Sequence, residues 1–168
     1  MQVQKQNSMV QLRPATADDY PDLLSIYSST REEELAMTPW NEDQRRAFLE
    51  MQLKAQQSHY QGKYPGADHE MILLEGKVIG RLYVVRLDGE IRILDITLLP
   101  AYRGSGIGTE LLQQLISEAE RAQKPLRIYV ESFNRSLELF KRLGFSCSGE
   151  HGIHLLMQRS PGAESAPA

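Results

Sequence analysis

Apolar residues are arranged along the chain in two different patterns, and these patterns predict its secondary-structure elements. Between residues 91 and 98, apolar and β-branched side chains follow one another with few breaks, which is typical of a buried strand. Over 107–122 they recur every three or four residues opposite charged and amide side chains, which predicts an amphipathic helix. Gly104, Gly106 and Gly108 join the two segments. The centre of the chain therefore has the order strand, glycine loop, helix.

The flanking pattern predicts that this centre lies inside a larger alternation of strands and helices. The complete predicted order is strand, two helices, three strands, helix, strand, helix and two strands. The flanking strands are predicted at 9–13, 70–74, 78–87, 126–130, 145–149 and 153–158, and the flanking helices at 20–27, 42–58 and 134–143. Residues 59–69, with two Tyr and two His, are predicted to form a loop.

A chain of 168 residues has room for one domain whose core needs no disulfide or metal to fold. We expect this domain to cover 10–159, with a disordered polar leader at 1–9 and a disordered tail at 160–168. Cys147 is the only cysteine, which excludes an intrachain disulfide and a thiolate metal cluster. Its place in a predicted strand predicts a core residue rather than a nucleophile.

The charge of the chain narrows the classes of partner. A formal net charge of −3 and a pI near 5.8 give no electrostatic basis for binding nucleic acid or an anionic membrane. The four His residues are scattered, so we predict no metal site. No apolar run has the length of a membrane helix, and the first residues lack the apolar segment of a signal peptide, so we predict a cytoplasmic protein.

The glycine loop predicts an anion site. The first N–H groups of a helix have no partner within the helix and lie at the positive end of its dipole, and Arg103 adds a charge beside them. A nucleotide-binding loop of the NTPase kind is excluded, because Gly62-Lys63 and Gly76-Lys77 are not followed by Ser or Thr. The dinucleotide fingerprint G-x-G-x-x-G also differs from the spacing found here. A glycine turn that binds nothing remains the alternative.

Three segments in the correct order resemble motifs of the GNAT superfamily of N-acetyltransferases. Arg103, Gly106 and Gly108 match its pyrophosphate signature (Q/R)-x-x-G-x-(G/A). Residues 95–102 are similar to the strand and turn before that signature, and Asn134 with 139–145 is similar to the closing N…LYxxLGF segment. The resemblance covers roughly residues 10–159.

The resemblance implies an α/β (α+β) fold with a mixed, mostly antiparallel sheet of six to seven strands, helices on both faces and a split at the central strand. It implies acetyl-CoA as the acyl donor and no metal. Strand backbone would pair with the pantetheine amides, and the glycine loop would bind the pyrophosphate. The implied cofactor-binding residues are Ile96, Thr97, Leu98, Arg103, Gly104, Ser105, Gly106, Ile107, Gly108, Thr109, Asn134 and Phe140.

The implied reaction is direct attack of a primary amine, on a small molecule or a peptide, on the thioester. A protonated amine must first lose a proton, so a carboxylate is needed as acceptor, directly or through water. Asp95 on the central strand and Glu131 at the end of the neighbouring strand are the candidates. Each also has a structural alternative, as a hydrogen-bonded carboxylate or as the end of a strand.

Four residues are predicted to bind the acceptor. Glu34 follows two further carboxylates and precedes Trp40, the only tryptophan, so the segment has the charge and ring face that attract a cation. The alternative is a solvated helix end with Trp40 in the core. Tyr60 and Tyr64 are included because they lie in the predicted loop.

Phe140 departs from the family pattern, because many relatives have there a Tyr proposed to protonate the departing thiolate. A phenyl ring cannot donate a proton. Solvent or another phenol, such as that of Tyr129, would serve instead, or the thiolate would leave unprotonated. A non-catalytic acyl-CoA-binding sensor or interaction module is therefore the alternative function, and a homodimer is left open.

Overall fold

A computed structural model describes residues 9–165 of the chain. Within that range it has five α-helices and seven strands. The helices are α1 (Tyr20–Ser29), α2 (Glu32–Ala36), α3 (Glu42–Lys63), α4 (Ile107–Ala122) and α5 (Leu137–Arg142). The strands are β1 (Val10–Pro14), β2 (Asp68–Leu74), β3 (Lys77–Arg86), β4 (Ile91–Leu98), β5 (Leu126–Glu131), β6 (Ser146–His151) and β7 (His154–Arg159).

The seven strands form one sheet with the order β1-β2-β3-β4-β5-β7-β6. The pairs β1–β2, β5–β7 and β6–β7 are antiparallel, and β4–β5 is parallel. The parallel pair needs a crossover connection, which α4 supplies. The predicted mixed, mostly antiparallel sheet is therefore confirmed, with β4 as its central strand.

The parallel ladder between β4 and β5 is short. It joins Ile91 to Leu126, Arg92 to Arg127 and Ile93 to Ile128. Beyond these three pairs, β4 continues to Leu98 and β5 continues to Glu131. The ladder between β5 and β7, in contrast, covers the full length of β5.

By its internal contacts the chain divides into two compact units. Among the described residues, the first unit contains 9–83 together with Ile96–Ile107. Its core lies among α1, α2, α3 and β2 and consists of Leu23, Ile26, Tyr27, Leu35, Leu49, Leu53 and Met71.

The second unit contains Val84–Asp95 and residues 108–165 of the described chain. The predicted apolar stripe of α4 is its buried face, where Leu111, Leu112, Leu115 and Ala119 are almost fully covered. Alternate residues of β5 are buried as well, which gives this unit a helix-and-sheet core.

Helix α3 is longer than its sequence pattern indicates. Asn41 caps its start, where the side chain accepts from the N–H of Gln44 at 2.9 Å and the Gln44 side chain accepts from the N–H of Asn41. The helix then continues through 59–63 and β2 begins at Asp68, so the predicted loop at 59–69 is wrong for its first five and its last two residues. The reason is that Gly62 alone does not stop a helix, whereas Pro65 follows its end. Tyr60 therefore lies on a helix.

Helix α5 is shorter than predicted, because its first residues form a separate turn. The Asn134 side chain accepts hydrogen bonds from the N–H of Ser136 at 2.9 Å and from its hydroxyl at 2.7 Å. Gly144, at a φ of +94°, follows the helix in the left-handed region, as is common for a glycine at a helix end.

Two expectations at the C-terminal end are corrected. Residues 160–165 have defined contacts instead of beginning a disordered tail: the N–H of Gly162 donates to both carboxylate oxygens of Glu120 at 3.0 Å, and the hydroxyl of Ser165 donates to the carbonyl of Leu143. Residues 166–168, and 1–8 of the leader, lie outside the described residues. Cys147 is exposed rather than in the core, because β6 is the outermost strand of the sheet.

Candidate functional site

The glycine loop connects the end of β4 to the start of α4. Gly104 has a φ of +73° and Gly106 a φ of +87°. A Cβ added at either position would meet no atom within 4 Å, so glycine is needed there for the backbone conformation and not for space. The amides of Gly104 and Gly106 have no acceptor among residues 9–165. Backbone amides without an internal acceptor are the donors that anion sites at helix starts use.

The two polar side chains of the loop already have partners in the first unit. The Nε of Arg103 donates to the carbonyl of Leu98 at 3.0 Å, and its Nη2 lies 3.4 Å from the Oγ of Ser29. The hydroxyl of Ser105 donates to the carbonyl of Tyr102 at 2.7 Å. These bonds hold the loop against β4 and α1, so backbone amides, more than side chains, remain to bind a ligand.

Gly80 on β3 was not recognised in the sequence as a site residue, although it shapes the strand that precedes the loop. A Cβ at Gly80 would lie 2.2 Å from the carbonyl oxygen of Thr97 and about 3 Å from Leu98. Only glycine permits this approach of β3 and β4, whose backbones also meet where Leu99 donates to Ile79 at 2.8 Å. An isolated glycine inside a strand pattern is the signal that could have identified it.

The candidate proton acceptors differ in their surroundings. Asp95 is half-buried in the middle of β4. Glu131 ends β5, and its carboxylate lies 4.0 Å from the Nε2 of His154, the residue directly opposite on β7. His154 was missed because the pairing of the two residues depends on strand register, which no local pattern reveals. It adds an imidazole to the candidate acid–base groups.

The remaining two predicted cofactor residues lie in and before α5. Asn134 is exposed and uses its side-chain oxygen to form the turn before the helix. Phe140 is only 3% exposed, and its ring contacts that of Phe145 edge-on at 5.3 Å. Phe140 is therefore part of the core of the second unit.

The four predicted acceptor residues lie on different elements of the first unit. Glu34 pairs with Arg31 at 3.1 Å on the exposed surface of α2. Trp40 packs against the core, with its ring 5.0 Å from that of Phe48, as the structural alternative expected. Tyr60 contacts the ring of Tyr83 at 5.2 Å, and Tyr64 follows the end of α3.

The first unit also has a groove of about 590 Å³ between its helices. None of the four predicted acceptor residues lines it, but Glu32 does, together with an apolar floor that includes Leu24, Leu35 and Leu49. The position of Glu32 at this groove could not be predicted from the sequence, because the groove forms only when α1, α2 and α3 pack together.

Within residues 9–165, no cluster of three or more His, Cys, Asp or Glu side chains has the arrangement of a metal site. No helix in this range combines the length and the apolarity that a membrane span requires.

Comparison with family models identifies the class of protein. Residues 21–145 match the acetyltransferase (GNAT) family. The match covers about three quarters of the chain, and the chain therefore belongs to this family. The resemblance predicted from the glycine loop and its flanking segments is confirmed.

Solved structures with the same fold include several acetyltransferases. The PaiA N-acetyltransferase of Thermoplasma acidophilum, in complex with coenzyme A, is 16% identical, with a TM-score of 0.67 over 90% of this chain and 98% of that one. The ribosomal-protein-S18-alanine N-acetyltransferase of Escherichia coli is 20% identical, with a TM-score of 0.60 over 95% and 96%. A GNAT family acetyltransferase of Elizabethkingia anophelis with acetyl-CoA bound is 17% identical, with a TM-score of 0.59 over 90% and 98%. A search of curated proteins found no match.

Proposed function

We propose that this protein transfers the acetyl group of acetyl-CoA to a primary amine of a small molecule or a peptide. The observation that carries the proposal is the glycine loop at the start of α4, in which Gly104 and Gly106 present amides without an internal acceptor. Membership of the acetyltransferase family and the solved relatives with coenzyme A or acetyl-CoA support the same donor.

The donor would be held mainly by backbone groups. Amides from Gly104 to Thr109 would bind the pyrophosphate, since a cluster of N–H groups at a helix start suits a dianion. The backbone of Ile96 to Leu98 would pair with the pantetheine amides. The close approach of Gly80 to Thr97 supports this step, because it sets the path of β4 just before the loop.

The chemistry requires a proton acceptor and no enzyme nucleophile. The amine nitrogen would attack the thioester carbonyl, forming the C–N bond, and the C–S bond would break to release the thiolate of CoA. The amine would give up its proton to Asp95, or to Glu131 with His154 beside it.

The thiolate would leave without help from Phe140, which is buried and has no proton to donate. Tyr129 is a candidate donor, since its side chain is 41% exposed and its ring contacts Arg92 and His151. Departure as a free thiolate is also compatible with the modest basicity of a thiol.

The test is release of free thiol from acetyl-CoA with a panel of small amines and peptides bearing a free amino terminus. We expect turnover with at least one amine. Asp95→Asn and Glu131→Gln separate the proton acceptors, because the true acceptor should lower kcat while acetyl-CoA affinity stays unchanged. Tight acetyl-CoA binding without turnover on any amine would count against the transferase.

The absence of a phenol at position 140 favours the alternative, a non-catalytic acyl-CoA-binding module. Phe140→Tyr tests it in the same assay. A transferase that protonates the thiolate elsewhere should keep its turnover, whereas a binder should release no thiol as wild type or as variant. Measurable wild-type turnover would eliminate the binder.

A further inference from the structure

The groove between the helices of the first unit shares no lining residue with the glycine loop. One wall is α1, where Leu24 and Ser28 are one helical turn apart. The other wall is α3, where Glu42, Arg45 and Leu49 lie on the same face. Glu32 and Leu35 of α2 complete the lining, so three packed helices determine the shape of the groove.

The charged side chains of the groove are not matched to one another. Arg45 donates through Nη2 to the carbonyl of Thr38 at 3.3 Å, and its Nε is buried without an acceptor in the described part of the chain. Across that part, no ion pair involves Arg45, Glu32 or Glu42. The fourth charged residue, Arg46, is occupied by Glu50 at 3.2 Å.

This combination excludes three classes of ligand. Glu32 and Glu42 would repel a polyanion, and Arg45 with Arg46 would repel a polycation. A hydrocarbon would bury these charges without giving them partners, which costs free energy. A molecule with one ammonium, one carboxylate and an apolar body complements Glu32 and Glu42, Arg45 and the apolar floor of the groove.

We infer that the groove binds a small apolar zwitterion of about dipeptide size, with its carboxylate on Arg45 and its ammonium on Glu32 and Glu42. The apolar body would cover Leu24, Leu35 and Leu49. The volume of about 590 Å³ agrees with the usual range for small-molecule clefts, about 300 to 1,000 Å³. The site does not depend on the proposed transferase reaction.

The test is calorimetric titration of leucyl-leucine without acetyl-CoA, so that binding is measured apart from catalysis. N-acetyl-leucyl-leucine lacks the ammonium and leucyl-leucinamide lacks the carboxylate. We expect each blocked form to bind at least about tenfold more weakly, since a hydrogen bond to a charged group is lost in each. Arg45→Gln and Glu32→Gln, on different helices, should each weaken leucyl-leucine to a similar degree.

The matched controls are Lys54→Gln and Glu33→Gln, which remove exposed charges of the same two helices that do not line the groove. Both should bind like wild type, and thermal melts of all four variants would exclude unfolding as the cause of weaker binding. Equal affinity for the blocked and free dipeptides would overturn the inference. Affinity unchanged by either groove variant, or no binding of leucyl-leucine to the folded protein, would overturn it as well.

Discussion

The glycine loop and the C-terminal turn, residues 160–165, each contain a glycine at positive φ, but the amides of the two glycines differ in their acceptors. Gly106 in the loop has a φ of +87°, and Gly162 in the turn has a φ of +84°. In the turn, the N–H of Gly162 donates to the Glu120 carboxylate, which also binds the guanidinium of Arg159. In the loop, the N–H of Gly106 has no acceptor in the described chain.

The difference lies in whether the chain itself supplies the acceptor for the glycine amide. Glu120 supplies its own charge to the turn, and the bonds from Arg159 and Gly162 keep the pKa of its carboxyl below the ordinary value. The turn is thereby closed. The loop has comparable donors, and no side chain of its own accepts from the amides of Gly104 and Gly106 in the described chain.

The largest loss of acetyl-CoA affinity is expected from a substitution that changes the backbone conformation of the glycine loop. In Gly106→Val a β-branched side chain would be strained at positive φ, so the loop should change its path and lose its amide donors. Acetyl-CoA affinity, measured by calorimetry, should fall by about 100-fold or more as several charged hydrogen bonds are lost. Gly89→Val is the control, because Gly89 lies in an open turn outside the positive-φ region. Unchanged affinity in the folded variant would refute the site.

Disrupting the C-terminal turn should lower the stability of the fold and leave acetyl-CoA affinity unchanged. Arg159→Met removes the donor to Glu120 and to the carbonyls of Leu143 and Ala163. The unfolding temperature should fall by several degrees and residues 160–165 should become sensitive to protease, because buried acceptors lose their partner. Acetyl-CoA affinity should stay the same. The exposed Arg135→Met is the control, and a melting temperature equal to that of wild type would mean that the turn contributes nothing.

Lowering the pH should reduce the contribution that Glu120 makes to the free energy of unfolding. Because the pKa of Glu120 is lower in the folded protein than its ordinary value of 4.5, its contribution is fully present above pH 4.5 and is lost as pH falls toward the folded pKa. The difference in unfolding free energy between wild type and Glu120→Gln should therefore shrink below pH 4.5, as followed by denaturant titration between pH 7 and 3. A difference that stays constant with pH would contradict this assignment.

The smallest change in acetyl-CoA affinity is expected for a substitution of Ser105. Its hydroxyl donates to Tyr102 within the loop, so Ser105→Ala removes no donor that is aimed at the ligand. Acetyl-CoA affinity should change by less than about threefold, the size of a weakened internal hydrogen bond. A loss of tenfold or more would show that the hydroxyl turns toward the bound anion, and would make the side chains as important as the backbone.

Local features of the fold could be predicted from the sequence because they depend on neighbours in the chain. The stripe of α4 follows from apolar residues three and four apart, and the conformation of Gly106 follows from a residue without a Cβ between a strand and a helix. The end of α3 was misjudged because a single glycine, Gly62, is too weak a stop signal to end a helix.

Three features were decided only by tertiary structure. The pairing of Glu131 with His154 depends on the register of β5 and β7, and the groove around Arg45 requires α1 and α3 to pack side by side. The C-terminal turn depends on Glu120, which is 42 residues from Gly162. The sequence by itself determined the family, the central strand and the glycine loop, since their signals lie within a few residues. Contacts between distant residues have no periodic signal in one sequence, so only the folded chain could decide them.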